Sequence, residues 1–208
     1  MYKKYIKRWL DVVAAAVALI ILSPLLLLIA IAIKLFDPGP VFYLGPRVGK
    51  DGKVFKMYKF RTMIVNAPDI RNADGSTFNA KNDPRLTKIG KFLRETSLDE
   101  LAQFINVLKG DMSLIGPRPG LQDNLHLYTP EELQKWEVRP GITGYNQAFY
   151  RNNLSLEERR KNDVYYVKNL TFWLDVKIFV ATILVVLQRK SIYNNSSPAG
   201  QQAVRNKE

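Results

Sequence analysis

The chain contains no cysteine and a single histidine, His126. Disulfides, cysteine-bound zinc and thiol redox chemistry are therefore excluded, and so is a histidine-rich metal centre. Isolated in NLHLY, His126 reads as a structural or exposed residue rather than a catalytic one. Acidic residues are also scarce, 19 against 31 lysines and arginines, which leaves a net charge of +12. An excess of that size favours polyanionic partners: phosphates, nucleic acid or acidic lipid headgroups. The basic residues are spread through turns rather than along one helix, and no nucleic-acid-binding motif is present, so nucleic acid is not an expected partner. At 208 residues the chain can hold one catalytic-sized domain and a short appendage.

Charge is missing altogether from residues 12 to 33. As a helix, those 22 residues reach about 33 Å, against about 30 Å of bilayer hydrocarbon. The run is longer than the apolar part of a signal peptide and no small-residue cleavage site precedes the next charges, so an uncleaved membrane segment is expected. Lys3, Lys4, Lys7 and Arg8 precede it, and Lys34, Arg47, Lys50, Lys53 and Lys56 follow. A single crossing concentrates basic charge on one side. Symmetric flanks point instead to a helix that dips into the bilayer and returns, with both ends cytoplasmic. Pro24 offers no N–H to the carbonyl of Ile20, at a cost of about 3 kcal/mol in a helix interior, and the hydroxyl of Ser23 is close enough to replace it. An ordinary kinked span accommodates the same two residues, so both topologies stand on these grounds.

Beyond the run, Asp37-Pro38-Gly39-Pro40, Gly45-Pro46 and Asp51-Gly52 separate short aromatic and β-branched segments, which predicts a β-hairpin turning at Asp51-Gly52. Residues 66–82 are polar and turn-rich and read as a loop. Apolar residues recur at helical spacing from Arg85 to Lys109, with Gly110 as the stop. GPRPG at 116–120 and VRPGITG at 138–144 read as irregular, and Thr129-Pro130-Glu131-Glu132 as a helix start. Leu170 to Leu187 is apolar apart from Asp175 and Lys177, and its uncharged part is too short to span. A buried core helix and a helix lying on the membrane surface both fit it. Residues 191–208 form a polar tail, expected to be disordered.

The segment TSLDELAQFINVLKG, 96–110, has the S-x-x-E spacing of a capping box at Ser97 and Glu100. On one reading Glu100 only reaches back to the Ser97 N–H and Asp99 only complements the helix dipole. On the other, the helix start is a phosphate site, Asp99 stays ionised and attacks phosphorus, and a divalent cation shields the two carboxylates from a diphosphate. Arg61, Arg85, Arg118 and Arg139 lie in turn-rich segments, and guanidinium forks held there suit phosphate oxygens. A solvated surface charge is the alternative for each.

The motifs KRWLDVVAAAVALIILSPLLLLIAIAIKL, FKMYKFRTM, RETSLDELAQFINVLKGDMSLIGPRP, VRPGITG and DVYYVKNLTFWLDVKI occur in order over about residues 1–190. In these the chain resembles the monotopic phosphoglycosyl transferases, the bacterial sugar transferase family. The resemblance implies an α+β protein. Residues 1–36 would form a re-entrant membrane helix-hairpin broken at Ser23 and Pro24. Residues 37–190 would form a small, helix-rich cytoplasmic catalytic domain with a β-hairpin and membrane-surface helices, on the cytoplasmic face of a bacterial inner membrane. It implies transfer of a sugar-1-phosphate from a UDP-sugar to polyprenyl (undecaprenyl) phosphate with release of UMP, through a covalent aspartyl intermediate. This would be the first membrane step of glycoconjugate synthesis, with downstream glycosyltransferases as possible partners alongside membrane lipid.

By the same resemblance Asp99 is the nucleophile, Glu100 supports it, and the two hold Mg2+. Lys59, Arg61, Arg85 and Arg118 match phosphate and substrate motifs, with Arg139, Gln147 and Arg151 beside them, and Asp163, Tyr165 and Tyr166 match a D-x-Y-Y element. After GITG the family often reads glutamine, valine, asparagine, glycine, arginine. Here Gln147 is followed by Ala148, Phe149, Tyr150 and Arg151, so the sugar does not follow from the resemblance. Ala102 stands where a proline is common, which touches only the helix start. The rival from another class is a membrane-anchored basic binding module without catalysis.

Overall fold

The computed structural model describes residues 1–70, 78, 80, 82–150 and 154–187; the expectations for Arg151 and for the tail at 191–208 fall outside the described residues, as does part of the loop at 66–82. A π-helical turn, Tyr2–Ile6, leads into helix α1, Lys7–Phe36, which continues through Pro24. The Ser23 hydroxyl donates to the Ile20 carbonyl at 2.8 Å, the acceptor that Pro24 leaves without a donor. By length and composition α1 is long and apolar enough to cross a membrane.

Its buried residues, Lys7, Asp11, Ala15, Ile29 and Ile33, recur at helical spacing along one face but only toward the two ends. At the N-terminal end Lys7 pairs with Asp175 at 2.7 Å, the Asp11 carboxylate accepts from the Leu114 N–H at 3.0 Å, and Arg8 donates to the Val107 carbonyl at 2.7 Å. At the other end Ile29 and Ile33 pack with Phe60, Leu93 and Ala102. Between them Ile20 and Ile21 are 74% and 69% exposed. One folded domain thus grips both ends of an apolar helix and leaves its middle bare.

Strands β1, Phe42–Val48, and β2, Val54–Phe60, form the expected antiparallel hairpin, in register from Phe42 opposite Phe60 to Val48 opposite Val54. Asp51 and Gly52 turn it with φ of 56° and 73°, the left-handed pair that Asp-Gly tolerates and a tight hairpin requires. Arg61, just after β2, donates to the Pro40 carbonyl and to both the carboxylate and the carbonyl of Asp37. It closes the turn between α1 and β1.

The helix expected from Arg85 to Lys109 is broken. Helix α2, Lys88–Glu95, is capped by Thr87, then Ser97 takes a left-handed φ of 57°. A 3₁₀ turn, Leu98–Ala102, leads into α3, Gln103–Lys109, which stops at Gly110 as expected. The reason is geometric. Leu93 and Ala102 are both buried against α1, yet nine positions on a continuous helix would put them about 180° apart. Gly90 fixes α2 from the other side, since a Cβ there would sit 1.9 Å from the Thr62 carbonyl oxygen.

Strand β3, Ser113–Ile115, pairs in parallel with β4, Gly141–Thr143, so VRPGITG contains a strand that three residues were too few to reveal by alternation. The expected start at Thr129 is present: its hydroxyl accepts from the Glu132 N–H at 3.3 Å and Glu132 accepts from the Thr129 N–H at 2.8 Å, although the helix that follows, Glu132–Glu137, is 3₁₀. The short α4, Tyr145–Phe149, precedes α5, Leu156–Lys168, where Ser155 and Glu158 form a capping box. Helix α6, Phe172–Leu187, is buried along part of its surface and exposes apolar side chains along the rest. Asp175 and Ile178 are buried, while Trp173, Phe179, Val180, Ile183 and Leu184 are exposed. The arrangement is α+β.

Asp175 is the polar knot of this fold. Its carboxylate accepts from Lys7 at 2.7 Å, Tyr2 at 2.6 Å and Tyr166 at 2.7 Å, all shielded from water to differing degrees. Asp175→Ala removes the counter-charge of buried Lys7 and is expected to lower unfolding stability by about 3–5 kcal/mol, with a smaller loss in the double substitution Lys7→Met, Asp175→Leu. Denaturant unfolding in lipid nanodiscs measures both.

Candidate active site

The site is assembled from three elements. Strand β2 supplies Lys59, whose ammonium lies 2.7 Å from Glu100 Oε1 and 3.9 Å from Asp99 Oδ2, both carried by the 3₁₀ turn after Ser97. Arg118, in the segment following β3, reaches the same Glu100 oxygen at 3.5 Å. Asp99 is 7% exposed and the Arg118 side chain 58%, so the cluster has a sheltered carboxylate at its base and a cation open to solvent.

The capping box expected at Ser97 and Glu100 does not form. Ser97 is left-handed and its side chain makes no cap bond, and Glu100 turns to Lys59 instead. A five-residue 3₁₀ turn also gives little helix dipole, so the positive charge here comes from side chains.

The two carboxylates differ in character. Burial pushes Asp99 above the usual aspartate range; Lys59 pulls the other way, and the adjacent Glu100 charge adds to the rise. Burial also works against ionised Glu100, but Lys59 and Arg118 outweigh it and hold its pKa at about 2. Asp99 is therefore the more basic of the two carboxylates, and Glu100 the less basic. No group of three or more histidine, aspartate or glutamate side chains suited to a metal occurs among the described residues. Mg2+ bound with phosphates takes only one or two protein carboxylates, its other ligands being water and phosphate oxygens, so the Asp99–Glu100 pair fits such an ion.

Several expected substrate ligands are engaged elsewhere. Arg61 holds the α1–β1 turn, as described. Arg85 is buried and grips Asp83 at 2.9 and 2.7 Å and the Pro68 carbonyl at 2.9 Å, stapling its own loop. Arg139 donates to the Gly110 carbonyl at 2.8 Å, beyond the end of α3. Asp163 accepts from Lys135 at 2.6 Å and Asn146 at 2.9 Å inside the protein. Tyr166 is a core residue whose hydroxyl reaches Asp175. In this structure folding gives these groups internal partners that spacing alone does not show. Tyr165 is exposed and packs beside Tyr145, with ring centroids 5.2 Å apart; Phe149 lies against the same Tyr145 ring at 5.1 Å. The buried Gln147 amide nitrogen makes no hydrogen bond among the described residues. Sequence reasoning missed Arg94, whose charge acts on Asp99 and whose Nε donates to the Thr62 hydroxyl at 3.1 Å. Arg94 lies on α2, before the break at Ser97, and Asp99 on the 3₁₀ turn after it.

Residues 2–189 match the family model described as bacterial sugar transferase. Over 201 residues the chain is 41% identical to the undecaprenyl-phosphate galactose phosphotransferase of Salmonella typhimurium, covering 91% of this chain and 42% of that protein. It is 43% identical over 189 residues to the UDP-N-acetylgalactosamine-undecaprenyl-phosphate N-acetylgalactosaminephosphotransferase of Aeromonas hydrophila, covering 88% and 44%. It is also 43% identical over 187 residues to the uncharacterized sugar transferase EpsL of Bacillus subtilis, covering 90% of each. The chain thus spans less than half the length of the first two relatives and nearly all of the third. With the match running from the turn before α1 past the end of α6, and the Lys59, Asp99, Glu100 and Arg118 cluster inside it, the chain belongs to the bacterial sugar transferase family.

Proposed function

We propose that this chain is a phosphoglycosyl transferase, moving a sugar-1-phosphate from a UDP-sugar to undecaprenyl phosphate and releasing UMP. The observation that carries this reading is the sheltered Asp99 beside Glu100, with the Lys59 ammonium 3.9 Å from Asp99 and 2.7 Å from Glu100 and Arg118 3.5 Å from Glu100. Relatives named for transfer of galactose and N-acetylgalactosamine phosphates to the same lipid support it.

The reaction runs in two displacements. An Asp99 carboxylate oxygen attacks the phosphorus that bears the sugar, the bond from that phosphorus to the bridging oxygen breaks, and UMP departs with the electron pair. An oxygen of the lipid phosphate then attacks the aspartyl phosphorus, Asp99 leaves as carboxylate, and the lipid-diphosphate-sugar forms. Arg118, open to solvent, meets the incoming phosphates, while Lys59 fixes Glu100 and tempers the basicity of Asp99. Asp99 and Glu100 would hold Mg2+, whose chemistry there is neutralisation of diphosphate charge.

The same geometry supports a membrane placement. A helix with bare apolar residues at its middle and both ends gripped by one polar domain supports a re-entrant path, with the exposed faces of α1 and α6 in lipid and the site at headgroup level on the cytoplasmic side. A long-chain lipid presents its phosphate at that level, and the product is then available to glycosyltransferases that extend it.

Purified protein with Mg2+, labelled UMP and a panel of UDP-sugars, without lipid acceptor, is expected to move label into the cognate UDP-sugar. Asp99→Asn should abolish both this exchange and turnover, and normal turnover in that variant removes Asp99 from the role. Because Asp99 must be ionised to attack, activity should fall as pH drops through its raised pKa, so the acid limb lies above the ordinary aspartate value. Lys59→Met takes away the charge that pulls this pKa down and is expected to move the limb further up, read from kcat against pH. Cysteines introduced near residues 2 and 50 should both be labelled from the cytoplasmic side; labelling from opposite sides means that α1 spans.

A further inference from the structure

Lys59 and Glu100 are 41 residues apart and sit on different elements, and Arg118 arrives on a third. Phe60 packs with Ala102, and Met57 with Val107, but such contacts are non-directional and do not by themselves fix one element's position along another. A directional contact between β2 and α3 comes from Asn106, which is 0% exposed.

Its Oδ1 accepts from the Tyr58 N–H at 2.8 Å and its Nδ2 donates to the Lys56 carbonyl at 2.8 Å. A carboxamide offers an acceptor and a donor side by side, as a neighbouring strand would, so it pairs with the edge of β2 that β1 leaves free. The same Nδ2 donates to Asp111 at 3.1 Å, and the Asn106 carbonyl accepts from the N–H groups of Gly110, Asp111 and Met112 at 3.1, 3.0 and 3.2 Å. Those bonds draw in the turn that leads to β3 and on to Arg118. One residue thus touches the strand bearing Lys59, belongs to the helix that continues from Asp99 and Glu100, and shapes the path to Arg118.

We infer that Asn106 is the positioning residue of the site: its amide sets the register of β2 against α3 and so places Lys59 on Glu100 and beside Asp99. It touches none of the reacting groups. A slip of one residue along β2 would shift Lys59 by about 3.3 Å and turn it to the opposite face, which the 2.7 Å pair with Glu100 does not survive. The catalytic consequence rests on the transferase reading above, whereas the placement of Lys59 does not.

The test uses Asn106→Leu in the full chain in nanodiscs, since leucine keeps the volume and loses the amide. Acylation of lysines by an amine-reactive ester, followed by mass spectrometry, should show Lys59 reacting at least about fivefold faster than in the wild type, the change expected for an opening made easier by about 1 kcal/mol. Buried Lys135 should stay protected in both, reporting an intact fold. In the UMP exchange assay kcat should fall about tenfold to a hundredfold, with KM changed far less. If Lys135 loses protection, Asn106→Asp, which keeps the acceptor for Tyr58 and loses the donors, carries the same test. Unchanged Lys59 labelling in a variant with Lys135 protected overturns the inference whatever the activity. Faster Lys59 labelling alongside a wild type that exchanges with no UDP-sugar leaves the placement standing and sinks the transferase reading.

Discussion

A lysine shared between two adjacent carboxylates is the interaction on which this site depends. Glu100 meets Lys59 at 2.7 Å and Arg118 at 3.5 Å and becomes a very weak base, while Asp99, 3.9 Å from the same ammonium and more deeply sheltered, remains the more basic of the two. Neighbouring residues of one chemical type are thereby divided into a more basic and a less basic carboxylate. The division comes from distance and burial, not from residue identity.

A second constraint is the tethering of an apolar helix to a basic domain. Apolar packing near Ile33 attaches one end of α1, and the buried carboxylates of Asp11 and Asp175 attach the other. Polar anchors suit the end where burial is costly to leave unmatched, because an unpaired Lys7 or Asp175 would carry a large desolvation penalty. The C-terminal packing also reaches Leu98 and Ala102, on the turn that carries Asp99 and Glu100, so the apolar helix and that turn share one cluster.

Features governed by a few consecutive residues were legible in the sequence. The Asp51-Gly52 hairpin, the Gly110 stop, the Thr129 cap and the Ser23 hydroxyl on the Ile20 carbonyl are of this kind. Ser97–Glu100 is the instructive exception: its local signal was a capping box, and tertiary packing overrode it because Leu93 and Ala102 both had to face α1. Arg61 and Arg85 show the same limit for chemistry. Both carry a phosphate-seeking fork, and both are occupied by carboxylates and carbonyls of their own turns.

The sequence by itself determined the apolar helix, the hairpin, the adjacent carboxylates and the family pattern, because each is written in contiguous residues. The tertiary structure decided which cations meet the Asp99–Glu100 pair, that α1 is held at both ends, and that β3 and β4 pair across distant segments. Those outcomes depend on contacts between residues tens of positions apart, whose directional hydrogen bonds, Asn106 to β2 among them, exist only once the chain has closed.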